Sequence, residues 1–127
     1  MLGEFRVFLQ SLPNVADITE NNGVMTFRYK GYAFLFVWNE QDAPYIRLML
    51  PKIATKDNLK EGVKILDVIN EYNKKYKTIK MFLLDEYIWL SIEQFIYSRD
   101  GAQDLFSRIM SILVLALEDF RHEYWKS

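Results

Sequence analysis

The 127 residues contain no cysteine, which excludes disulfides, thiolate metal sites and cysteine nucleophiles and permits a reducing compartment. A cytoplasmic location is the matching expectation. Histidine occurs once, at His122 in EDFRHEYW. A zinc site wants a second imidazole or converging carboxylates, and a nucleophile such as Ser91 or Ser111 wants a base within reach, so neither chemistry is predicted. The five glycines are scattered, and none opens a helix after a strand in phosphate-loop spacing, which leaves nucleotide binding unsupported. No sign of charge dominates either. With 16 basic and 17 acidic residues, no overall field steers nucleic acid or an anionic membrane toward the chain. A local exception runs from Lys52 to Lys80, where eight lysines face Asp57, Glu61, Asp67 and Glu71. The apolar run Ile112 to Leu117 falls far short of the ~20 residues that span a bilayer, so no membrane partner is expected. The opening MLGEFRVFLQSLPN carries Glu4 and Arg6 inside its apolar part, unlike a signal peptide, and reads as an amphipathic helix.

Aromatic residues, in contrast, are plentiful at 16%. They need burial somewhere. Phe5, Phe8, Leu9 and Leu12 fall at helical spacing until Pro13 and Asn14 stop the run, predicting a first helix. After a polar loop around Asn21, Asn22 and Gly23, VMTFRYK alternates with period two and turns at Lys30-Gly31 into YAFLFVW. NEQDAP separates this hairpin from YIRLML, which Pro51 is expected to close. Asp57 is placed to cap a helix of about five turns through NLKEGVKILDVINEYNKKY, in which Gly62 costs about 1 kcal/mol. TIKMFLL and YIWLSIEQF then form a second hairpin at Asp85-Glu86. Asp100 and Gly101 open a last helix carrying Phe106, Ile109, Leu113, Leu117, Phe120 and Tyr124 on one side. The expectation is a single α+β domain over residues 1–127. It has a five-stranded antiparallel sheet, element order α-βββ-α-ββ-α, and helices mainly on one face.

Hairpin register turns this order into a statement about surfaces, because residues opposite each other across a two-residue turn share a face. A turn at Lys30-Gly31 pairs Tyr29 with Tyr32, Phe27 with Phe34 and Met25 with Phe36, one almost wholly aromatic face. A turn at Asp85-Glu86 sets Ile79, Met81 and Leu83 with Ile88, Leu90 and Ile92. Behind these core candidates lies a second apolar set: Leu35, Val37, Met49, Phe82, Leu84, Tyr87 and Trp89. Three helices suffice to cover one face, so the second set is available for partner binding. The alternative is that the first helix or a loop crosses it. Trp89, Phe82 and Lys80 imitate an RNA-stacking surface, but without a basic excess no nucleic-acid partner is predicted. Trp38 and Trp125 are assigned to packing. Asp85-Glu86, Glu118, Asp119 and Glu123 are read as solvated.

The element order, the Asn70 and Asn73 end of the middle helix, the strand KMFLLD and its partner YIWLSIEQF together resemble the YbjN-like family, which looks like type III secretion chaperones in fold. Members often place glycine after the aspartate of that turn, where this chain has Asp85-Glu86-Tyr87. The resemblance implies a chaperone-like, non-enzymatic, cytosolic domain that dimerises or docks another polypeptide, with no catalytic residues, cofactor or metal. A different class remains open: a small-ligand module or enzyme with a pocket between the sheet and the middle helix.

Overall fold

A computed structural model describes residues 2–39, 45–96 and 101–126. Its elements run α1 (Leu2–Ser11), β1 (Val15–Asn21), β2 (Val24–Tyr29), β3 (Tyr32–Asn39), β4 (Tyr45–Ala54), α2 (Ile65–Lys75), β5 (Lys80–Leu84), β6 (Tyr87–Phe95) and α3 (Ala102–Tyr124). The fold is α+β, but the antiparallel sheet has six strands in the order β1-β2-β3-β4-β6-β5, where the sequence suggested five. The extra strand is β1. Asp17 takes a left-handed φ of 56° where the β1–β2 register shifts between Ala16 and Thr19. This bulge sets Val15 and Ile18, three positions apart, on the core side. Period-two alternation is thereby lost, and the segment reads as a loop. Its connection to β2 is a two-residue turn with Asn22 and Gly23 both at positive φ.

Two further boundaries differ from expectation. Pro51 does not end β4, because β4 pairs with β3 only as far as Met49, so the missing N–H interrupts no ladder on that side. The strand continues through a bulge at Lys52, φ 49°, and regains register with β6 at Ala54 and Ile88. The middle helix is about half as long as expected. Gly62 adopts φ 85°, a conformation that suits glycine, and the chain becomes helical only from Ile65. Asp57 lies inside a 3₁₀ turn, Lys56–Asn58, rather than capping a helix. There the Thr55 N–H donates to Asn58 Oδ1 at 2.8 Å. With the start moved, α2 buries Val68 and Tyr72, while Leu66 is left 67% exposed. The proposed helix opener Asp100 lies outside the described residues.

Both local hairpin registers match expectation: Tyr29 opposes Tyr32, Phe27 opposes Phe34, and Met81 opposes Leu90. Lys30 and Gly31, like Asp85 and Glu86, all have positive φ, as the right-handed twist of such hairpins demands. The inner face meets all three helices in one core. Phe5 of α1, Phe36 of β3 and Phe106 of α3 form its centre, with ring centroids 5.0–5.2 Å apart. Phe27 stacks on Phe34 beside them. Trp38 packs 5.7 Å from Phe5, and Trp125 closes on the core beside an isolated bridge to Leu59.

Candidate functional site: the outer sheet face

Strand pairing sorts every second residue to the side away from the helices. One row crosses all six strands as Thr19, Thr26, Leu35, Met49, Ser91 and Lys80. Its neighbour runs Val24, Val37, Arg47, Glu93, and on the other side Trp89 pairs with Phe82 and Tyr87 with Leu84. The structure therefore gathers Leu35, Val37, Met49, Phe82, Leu84, Tyr87 and Trp89 on one face. None of the seven belongs to the inner hydrophobic cluster or packs against it, although Met49 is itself buried, whereas α1, α2 and α3 each contribute apolar residues to that cluster. Helix α1, which the alternative reading placed across the outer face, instead delivers Phe5 and Leu9 to the core.

The seven are shielded to different degrees. Met49 sits mid-sheet at 8% exposure, Phe82 and Trp89 stack 6.0 Å apart and are half-buried, and Leu84 is 46% exposed at the hairpin end. The opposite end of β6 adds Phe95, 49% exposed and edge-on to Tyr45 at 6.0 Å. Phe95 and Arg47 were not among the residues singled out from sequence. Parity along β6 already puts Phe95 on this face, whereas only the pairing of β4 with β6, which local hairpin rules do not reach, sets Arg47 beside Glu93 and Tyr45 beside Phe95.

Polar groups interrupt the patch at one point. Arg47 and Glu93 form a salt bridge of 2.7 Å across β4 and β6. Next to it a depression of about 270 Å³ is lined by Arg47, Met49, Lys80, Phe82, Ser91 and Glu93. Among the described residues Arg47 Nε and Trp89 Nε1 are buried N–H groups with no acceptor, and Ser91 is the buried polar residue. Lys80 has no ion-pair partner among the described residues. Lys52 reaches over the Tyr87 ring at 5.3 Å.

The sheet edges are closed to strand addition by different means. On β5, Met81 donates its N–H to Asn73 Oδ1 at 2.7 Å and accepts from Asn73 Nδ2 at 3.0 Å, so an α2 side chain occupies the main-chain groups that another strand would need. On β1, the bulge at Asp17 and the Arg6–Glu20 ion pair at 3.1 Å disrupt the edge.

The helical side holds a second polar cluster. Asp119, expected to be solvated, accepts from Lys75 Nζ at 2.7 Å, Tyr76 Oη at 2.9 Å and Tyr72 Oη at 3.3 Å, tying α3 to α2. Hydrogen bonds from Lys75 and then Tyr76 hold its carboxyl below the usual carboxylate range. Burial, followed by the charge of Asp119, pushes the Tyr72 phenol far above its ordinary value. Where α2 begins against the sheet, a depression of about 190 Å³ is lined by Thr55, Lys56, Asp57, Ile65, Leu83 and Glu86. Its charged side chains are exposed, and the Thr55 hydroxyl donates to Asn58 Oδ1 at 3.3 Å. His122 is exposed on α3. No helix among the described residues is long and apolar enough to cross a membrane. No protein-family model, curated protein or solved structure matches the chain.

Proposed function

We propose that the protein is a non-enzymatic, chaperone-like docking domain that holds a polypeptide, a second copy or a partner chain, against its outer sheet face. One observation carries this reading: seven apolar side chains stand together on a face to which no described helix contributes packing. Contiguous apolar patches of more than a few hundred Å² are uncommon on monomers and mark interaction surfaces. Trp, Tyr, Phe, Met and Arg, all present here, are the residues enriched at such interfaces. With both edges blocked, the face is the part of the sheet left for docking.

The test is Trp89→Glu in the full chain. A docking residue can be charged without harm to the core, so the variant should keep its circular dichroism spectrum and stay within about 1 kcal/mol of the parent in urea. Binding of an apolar dye by the native fold should fall sharply. A variant that unfolds outright would show Trp89 to be structural and overturn the reading.

A further inference from the structure

The charge around the Ser91 depression narrows the choice of occupant, and the inference rests on the docking reading above. Three cations, Arg47, Lys52 and Lys80, border the β4-β6-β5 part of the face, against the carboxylate of Glu93 that Arg47 already engages. Asp85 and Glu86 stand in the turn beyond Leu84 and Tyr87, and Glu86 lines the other depression with Ile65. Asp17 is 3.8 Å from Arg28. Asp85 and Glu86 balance the charge over the face as a whole, but the Ser91 depression itself holds Arg47 and Lys80 against the single carboxylate of Glu93, a local positive surplus set among apolar side chains. The face also has a surplus of donors: among the described residues Arg47 Nε and Trp89 Nε1 lack acceptors, and unpaired buried donors are costly. Small side-chain rotations of the kind common at interfaces bring them to an incoming acceptor.

A second copy fits these features poorly. A two-fold interface sets a patch against itself, so the same surplus would face its own image, and like charges juxtaposed in an interface are costly. We propose that the occupant is an acidic, apolar segment of another polypeptide, whose carboxylate enters the Ser91 depression between Lys80 and Arg47 while its neighbouring apolar side chains cover Met49, Phe82 and Trp89.

The experiment titrates the isotope-labelled full chain with a short extended peptide, Phe-Ser-Glu-Ser-Phe, and with counterparts carrying Lys or Gln in place of Glu, reading amide shifts by NMR. The Glu peptide should shift β4, β5 and β6 amides and bind at least about tenfold more tightly than the Lys peptide, with affinity falling as salt rises. Lys80→Glu, an exposed change, should reverse that order without disturbing the fold, and Trp89→Glu should abolish binding of all three. Equal binding of all three at this face overturns the acidic specificity and leaves the docking reading standing. Self-association that Trp89→Glu abolishes, with no peptide bound, makes a second copy the occupant and likewise overturns it. Absence of both, with Trp89→Glu unfolded, removes the two proposals together.

Discussion

The two faces of this sheet are made from alternate residues of the same strands, yet they meet different surroundings. Phe36 points inward to Phe5 and Phe106 and Phe34 to Phe27, while Leu35 and Val37, alternating with them, point outward. Composition alone does not separate a core face from a docking face, because both are apolar. What separates them is which one the helices reach. Phe5, Val68, Tyr72 and nine buried positions of α3 all turn to the inner side.

The sharpest way to break this comparison is to truncate adjacent residues on opposite faces. Phe36→Ala removes a fully buried ring from the α1–β3–α3 centre and should cost about 3–5 kcal/mol in urea unfolding. Leu35→Ala, one residue away, removes a half-buried side chain outside the core and should cost about 1 kcal/mol or less. Equal losses at the two positions would mean that the outer face is packed as firmly as the inner one.

Much of this arrangement is legible in the sequence because hairpin register is local. Once Lys30-Gly31 and Asp85-Glu86 are turns, the side chains of β2, β3, β5 and β6 are assigned to faces by parity alone. The outer apolar set followed from that step. Strand β1 was hidden for the opposite reason: its bulge breaks parity, although the Asn22-Gly23 dipeptide is itself a strong hairpin signal. The late start of α2 turned on whether Gly62 sits in a helix or at positive φ, which no periodicity reports. Contacts across the fold were out of reach. Neither the three donors on Asp119 nor the placement of Arg47 beside Glu93 can be read from neighbouring residues.

A smaller effect comes from the layer that keeps the inner face dry. Asp119→Ala removes the shared acceptor of Tyr72, Lys75 and Tyr76, leaving a buried phenol without its partner. Because Asp119 is partly solvent-screened, the expected loss is about 1–2 kcal/mol. The sign with pH follows from the lowered carboxyl pKa. Asp119 stabilises the fold above the unfolded carboxylate value of about 4, and this contribution disappears as pH falls through the lower folded value. The parent should therefore lose stability below about pH 4 more steeply than Asp119→Ala, as measured by urea midpoints across that range. Parallel curves would show that the cluster contributes nothing in acid.

The smallest expected change falls at the turn that carries half of the outer patch. Glu86 is held at φ 72° beside Asp85 at φ 50°, so both central residues are left-handed, a geometry in which the second position favours glycine. A side chain there works against the clash between Cβ and the carbonyl that makes left-handed backbone costly. Glu86→Gly relieves it at the expense of added freedom in the unfolded chain, and the net gain should be about 0.5–1 kcal/mol in urea unfolding. The substitution touches neither Phe82 nor Trp89, so peptide shifts on β4 to β6 should be unchanged while the hairpin becomes firmer. A loss of stability instead would assign Glu86 a supporting contact beside Ile65 and Leu83 in the depression it lines. The inner and outer faces would then be linked through the turn rather than independent of it.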